Sequence, residues 1–190
     1  MYSALLHATA GVGMVLCLTG SVAAMSVLPG CAAQRAQAPV PAVSRRGQFA
    51  DKILVKKSQR RLYLMRDGKP FRTYRISLGI EPEGHKQRQG DNRTPEGRYT
   101  ISGRNARSNF YKALHISYPS LDDRLKAARK GWDPGGAIMI HGEPRGARFA
   151  HLRDLVRGED WTQGCIAVSN MAVDEIWRYV SDGTPIEIVP

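Results

Sequence analysis

Cysteine is scarce in this chain, and charge is missing from its whole first part. Only Cys17, Cys31 and Cys165 occur among 190 residues. Their spacings match no common zinc pattern, and they are too few and too scattered for a disulfide framework. Residues 1–34 hold no Lys, Arg, Asp or Glu. The charged leader that usually opens an export signal is therefore absent, and only the α-amino group supplies a positive charge there. No internal repeat is visible. No nucleic-acid recognition motif is visible either, although the chain is basic.

The uncharged stretch from Ala4 to Gly30 is almost wholly apolar or small. Its length suffices for a transmembrane helix, and its composition also suits the apolar part of an export signal. Leu28-Pro29-Gly30-Cys31 at its end resembles a bacterial lipobox, with cleavage after Gly30 and acylation of Cys31. The expectation is a signal peptide over residues 1–31, or an uncleaved anchor. An Ala/Pro-rich linker follows over 32–50 and one folded domain over 51–190. A periplasmic, lipid-anchored location follows from this reading. Ala32 and Ala33 after Cys31 carry no acidic retention signal and tilt the expectation toward the outer membrane. Cys17 leaves with the signal and Cys31 carries lipid, so Cys165 is left alone in an exported chain. It is either a buried apolar filler or a reactive thiol.

What the chain does have is positive charge. Its 28 basic and 17 acidic residues give a formal net charge of +11. Such a surface favours a polyanionic partner, which for an exported protein is cell-wall polymer or anionic lipid and not nucleic acid. The plain alternative is that the charge serves solubility.

Patterning beyond residue 51 is mostly that of strands. Ile53–Val55 and Arg61–Arg66 are β-prone, and Asp67-Gly68 is a hairpin turn signal. Tyr74, Ile76 and Leu78 alternate with polar residues. Further strands are expected at Arg98–Ser102, Lys112–Tyr118, Ala137–His141 and around Ile186–Ile188. Ser120 with Asp123 reads as a capping box, opening a helix whose Leu121, Leu125 and Ala128 share a core-facing side. A second helix is expected from Asn170 as N-cap to Gly183, with Val173, Ile176, Trp177 and Val180 toward the core. The sum is a mainly β domain with one or two packed helices. The polar, Gly/Pro-rich residues 81–97 form a long loop of the kind that carries function.

A nucleophilic Cys165 needs a base or cation nearby and N–H groups aimed at a developing oxyanion. Gly164 permits a tight turn, and the N–H groups of Gln163, Gly164 and Cys165 are the nearest donors. His141 ends the apolar run Ala137–Ile140 and is followed by Gly142, which leaves its ring unobstructed. His115 also lies in a predicted strand, where structural packing is the plainer role.

Taken together, "IMIHG" and "WTQGCIAVSN" resemble the signature of the L,D-transpeptidase catalytic domain, the YkuD-like family. The matching residues are His141-Gly142, Thr162-Gln163-Gly164-Cys165-Ile166 and Asn170. Thr94-Pro95-Glu96-Gly97 and Tyr118-Pro119 fit as well. The resemblance implies a β-sandwich of mixed sheets. It implies thioester chemistry in which Cys165 attacks the diamino-acid carbonyl of a peptidoglycan stem peptide and expels D-Ala. An amine from a second stem, a D-amino acid or a lipoprotein then takes the acyl group. In this reading His141 is the general base, or the imidazolium partner of a thiolate. The Gly142 carbonyl orients the ring, and Gly164 and Cys165 donate to the oxyanion. Thr162, Gln163, His115, Tyr118 and Arg148 line the substrate cleft, with no cofactor and no metal.

The chain departs from the pattern at Gln163, where many members have His, and at Ala167, where many have Arg. The spacing from His141 to Cys165 is longer than usual, and the extra residues include Arg145, Arg148, His151 and Arg153. Arg145 and Arg148 are then the nearest cations in sequence for a substrate carboxylate. Three alternatives stand beside the transpeptidase: a hydrolase on the same scaffold with water as acceptor, a non-enzymatic wall-binding lipoprotein, and a zinc site of His141, His151 and Cys165.

Overall fold

The computed structural model describes residues 49–146 and 159–190. The leader, Cys31 and its lipobox, most of the 32–50 linker, and Arg148, His151 and Arg153 lie outside the described residues. Eight strands and two helices are described: β1 Lys52–Lys56, β2 Arg61–Arg66, β3 Lys69–Arg75, β4 Gly97–Ser108, β5 Tyr111–Ile116, α1 Leu121–Arg129, β6 Met139–His141, β7 Ile166–Ala167, α2 Asn170–Tyr179 and β8 Pro185–Val189.

The strands form one mixed sheet in the order β3-β2-β1-β8-β4-β5-β6-β7. Two pairings are parallel, β1 with β8 and β6 with β7. Alternation drives the first half. Ile53 and Val55 of β1, Leu62 and Leu64 of β2, and Ile186 and Ile188 of β8 all point into the core, with the half-buried Leu54, Tyr63 and Glu187 between them. The long β4 joins the two halves. Its residues 97–100 pair with β8, and from Ile101 onward it pairs with β5, with a register shift between Ile101 and Gly103. A bulge at such a point bends the strand.

The residues after β3 close the fold. Ser77 exchanges both backbone hydrogen bonds with Ala167, at 2.9 Å each, and Gly79 bridges Thr162. The two ends of the sheet order are thereby tied together around one core cluster that includes Ile53, Leu64, Ile140 and Ile166. This is the physical form of the expected sandwich: a single sheet turned back on itself.

Several boundaries differ from the sequence reading. β3 starts directly after the Asp67-Gly68 turn and ends at Arg75. Ile76 and Leu78 are buried beyond it, in the segment that crosses to β7. α1 has the expected Ser120 capping box, but its inward side is different. Leu121 and Leu125 are 66% and 49% exposed, whereas Asp123 and Ala127 are buried. The cause is polar. The Asp123 carboxylate accepts bonds from Ser120 and Tyr99 and meets His85 Nε2 at 3.1 Å, so it turns the helix inward on that side. In α2 the core residues Val173, Ile176 and Val180 are as expected. Its N-cap, however, is Ser169, whose hydroxyl accepts from the Ala172 N–H, and its C-cap is Val180 rather than the region of Gly183.

Loop 81–97 is held from below by a buried cation. Lys57, 2% exposed, donates to the carbonyls of Gly84 (2.6 Å) and Thr94 (3.1 Å) and to Glu96 Oε1 (2.7 Å). Burial lowers the pKa of Lys57, and the Glu96 carboxylate opposes that shift. The three acceptors use all three ammonium protons. Removing the cation strands a carboxylate and two carbonyls. Lys57→Met is therefore expected to cost about 3 kcal/mol, enough to lower the thermal midpoint by roughly 10 °C. A fall of less than roughly 2 °C in differential scanning calorimetry would show that the loop is anchored elsewhere.

Candidate active site

β6 and β7 are short, and their pairing decides the site. The ladder pairs Ile140 with Ile166 and His141 with Ala167. Ile140 and Ile166 are fully buried in the core cluster. Side chains alternate along a strand, so Met139 and His141 lie on the opposite face, together with Cys165 and Ala167. Cys165 precedes the first ladder pair by one residue and falls opposite Met139. His141 and Cys165 are thus diagonal neighbours on one face, with backbones about 8 Å apart on strand spacing and rise. β5 extends the same face, because His115 pairs with Met139 and Ala113 with His141. His115 is half-buried there, one strand beyond the His141–Cys165 diagonal.

His141 is 3% exposed. Its Nδ1 lies 2.7 Å from the Gly142 carbonyl, an acceptor, so Nδ1 carries the proton and Nε2 is the basic nitrogen. The ring packs against Phe110 at 4.6 Å and against Trp161 at 5.7 Å between centroids. Burial lowers its pKa, and the bond to Gly142 works the other way. The loop that follows is clamped. The Gly142 N–H donates to the carbonyls of Phe110 and Lys112, and Asn170 Oδ1 accepts from the Glu143 N–H at 3.0 Å. A side chain at 142 would place its Cβ 2.5 Å from Asn170 Oδ1, which is why the position takes glycine. Arg145 donates to the Tyr111 carbonyl.

Cys165 sits at the exit of a tight turn. The buried Thr162 hydroxyl donates to the Cys165 carbonyl (2.7 Å) and accepts from the Gly164 N–H (3.1 Å). Gly164 has φ of +122°, and a Cβ there would stand 2.6 Å from the Arg93 carbonyl. The turn is therefore pressed against loop 81–97 on one side. On another it is tied to the segment after β3, because Thr162 donates to the Leu78 carbonyl and accepts from the Ile80 N–H. Asp160, just upstream, binds Arg60 through both carboxylate oxygens and accepts from the Leu78 N–H at 2.8 Å. The thiol donates to the Ala137 carbonyl at 3.6 Å, and Ala137 is itself in the left-handed region at φ +54°. Burial raises the thiol pKa, while the Met139 N–H and the charge of Lys86 pull it down.

These findings revise several expected roles. Thr162 shapes the turn, and its hydroxyl is consumed there. The Gly164 N–H already has a partner, whereas the Gln163 and Cys165 N–H groups have none among the described residues. Gln163 is exposed at the turn's tip. Tyr118 is buried in the core and donates to the Pro134 carbonyl at 2.9 Å, which makes it a support for the segment leading to Ala137. Burial raises its pKa, with the Asp123 carboxylate adding to the effect. Sequence reasoning missed Phe110, Trp161, Lys86 and the Arg60–Asp160 pair. Trp161 adjoins the cysteine motif and Lys86 lies in the long loop, so their neighbourhoods were marked but their roles were not.

Residues 50–188 match the family described as the L,D-transpeptidase catalytic domain, YkuD, and the chain belongs to that family. It is 33% identical over 111 residues to a protein of Escherichia coli (strain K12) named "Putative L,D-transpeptidase YafK", covering 57% of this chain and 37% of that one. Its fold is similar to the crystal structure of the helical cell shape determining protein Pgp2 from Campylobacter jejuni. The TM-score is 0.52 at 27% identity, over 72% of this chain and 46% of the other. Bdellovibrio bacteriovorus Bd1075 shares the fold at 24% identity and a TM-score of 0.50. The chain thus spans well under half the length of the curated relative and just under half of Pgp2.

The close packing at Gly164 yields a test of the turn. Gly164→Ala is expected to displace Cys165 and slow its acylation by a carbapenem by about 10²-fold, followed by intact-protein mass spectrometry. Acylation at the unaltered rate would mean that the turn tolerates a side chain.

Proposed function

We propose that this chain is a cysteine-dependent L,D-transpeptidase acting on peptidoglycan stem peptides through a thioester acyl-enzyme. The observation that carries the reading is the shared face of His141 and Cys165, with the imidazole tautomer fixed by the Gly142 carbonyl.

The directions of the two pKa shifts favour a neutral resting pair, imidazole and thiol, over a thiolate–imidazolium pair. His141 then works as a general base. Its Nε2 takes the thiol proton as sulfur bonds to the diamino-acid carbonyl, and the developing oxyanion faces the Cys165 N–H. The imidazolium returns that proton to the departing D-Ala nitrogen, and the C–N bond breaks to leave a thioester. An incoming amine gives a proton to His141, adds to the thioester carbon and releases the thiol. Water in place of the amine gives the hydrolase, with the same proton path. Phe110 and Trp161 cover the imidazole and keep it poorly solvated. A lipid anchor at Cys31, a periplasmic site of action and the division into leader, linker and catalytic domain complete the proposal.

Muropeptide profiling of cells carrying wild-type protein or Cys165→Ala tests the activity. New third-to-third cross-links, D-amino acid exchange or a joined lipoprotein, each lost in Cys165→Ala, are expected. Simple trimming of stems would assign water as the acceptor, and identical profiles would remove the enzymatic reading. The pH dependence tests the neutral pair. Because His141 must be neutral to act and its pKa is lowered, acylation is expected to be fully developed by neutral pH and to fall only below the ordinary histidine range. Iodoacetamide labelling should keep rising at alkaline pH, since the thiol titrates late. A labelling plateau already reached in acid would reveal a resting thiolate instead. His141→Gln should slow acylation at least about 10²-fold.

A further inference from the structure

A second concave site lies beyond Lys86. A cavity of about 390 Å³ opens between loop 81–97 and the C-terminal end of α1, lined among others by His85, Gln87, Lys126, Arg129, Lys130 and Trp132. Its inner wall is Lys86, whose ammonium is buried and binds Asp91 Oδ1 at 2.8 Å and the Arg88 carbonyl at 3.0 Å. Lys130 crosses the opening to reach Gln87 Oε1 at 2.9 Å, and its ammonium stands 4.7 Å from the Trp132 ring centre. Trp132 is 39% exposed. The described neighbours of the cavity carry more positive charge than negative. Asp123 is committed to Ser120, Tyr99 and His85, and Lys126 is held by Asp122. Arg129 makes no ion pair among the described residues and projects at the rim. Basic residues at a helix C-terminus complement the helix dipole, which accounts for their sign. It does not account for a cavity of ligand size with an exposed indole at its wall.

Two links tie this cavity to the nucleophile. Lys86 forms its wall, and the charge of Lys86 acts on the Cys165 thiol. The chain from Trp132 to Ala137 runs from the cavity to the carbonyl that holds the sulfur. Fully extended, those residues span at most about 18 Å, the reach of a short peptide.

We propose that this cavity is a binding subsite for a carboxylate of the acidic peptide processed at Cys165, with Arg129 and Lys130 as the anion ligands and Trp132 as an apolar wall. The proposal rests on the transpeptidase reading for its ligand class. It assigns the recognition of negative charge to α1 and to no residue next to the cysteine, where Ala167 offers none. Guanidinium and ammonium donors suit carboxylate oxygens, and the indole takes the aliphatic backbone of the same residue.

The test uses a synthetic stem tetrapeptide with free carboxylates, an analogue whose carboxylates are capped as amides, and the doubly substituted Arg129→Ala/Lys130→Ala protein. Binding is read on the full chain carrying Cys165→Ala, from the change in tryptophan fluorescence, with Trp132→Phe as the control that assigns the signal. The free peptide should quench fluorescence through Trp132 and bind about tenfold more weakly to the double variant. The capped peptide should bind both proteins alike. With active enzyme the double substitution should raise KM about tenfold for the free peptide and leave kcat and iodoacetamide labelling of Cys165 unchanged. Equal affinity of both proteins for the free peptide, or equal losses for free and capped peptides, would overturn the subsite. Charge-dependent binding without turnover would uphold the subsite and remove the transpeptidase. Turnover with no dependence on Arg129 and Lys130 would do the reverse.

Discussion

The parallel pairing of two very short strands is the constraint on which everything else depends. β6 and β7 have three and two residues, yet their register puts His141 and Cys165 on one face. So short a ladder is weak alone. It holds because the buried Ile140 and Ile166 side chains anchor its other face and because β7 is bonded on its far side to Ser77. Parallel strands need a crossover between them, and here the crossover departs from the Glu143–Asn170 clamp and returns at the Asp160–Arg60 pair. The turn that carries Cys165 is thus fixed by contacts from three separate parts of the chain.

Electrostatics follows from that packing. The face is dry enough to discourage charge on both His141 and Cys165, and Lys86, the cation that acts on the sulfur among the described residues, is itself bound to Asp91. Asp91 stays ionised: burial alone would raise its pKa, but Lys86 and the N–H groups of Gln87, Arg88 and Arg93 together hold it lower. Loop 81–97 is therefore a rigid, hydrogen-bonded platform. Lys57 secures both ends of it, Lys86 the middle, and the Arg93 carbonyl touches the glycine beside the cysteine.

Much of this was legible in the chain. Short β-prone runs marked β1 and β2, the alternation of Ile186 and Ile188 around Glu187 marked β8, and the motif residues marked His141 and Cys165. What escaped had nonlocal causes. β7 is too short to show a period, and it is a strand only because β6 and Ser77 lie on either side. Leu121 and Leu125 made a plausible apolar side for α1, yet the Asp123 carboxylate, drawn inward by Tyr99 and His85, won the orientation. Thr162 and Tyr118 were expected at the substrate, but their hydroxyls serve the scaffold. Phe110 and Trp161 meet at His141 from distant positions, and no spacing announces such a cage. The fold confirms the mainly β class and two helices; Gln163 stands at the turn's tip and His115 on the face shared by His141 and Cys165.

The resting protonation of Cys165 has a consequence of another kind. Cysteine sulfur attacks peroxides and disulfides chiefly as its anion. A sulfur kept in its protonated form by burial is a slow reactant toward them. Among the described residues no second cysteine stands by to repair an oxidised one by forming an internal disulfide. The packing that withholds the anion thus doubles as the site's protection against oxidative inactivation.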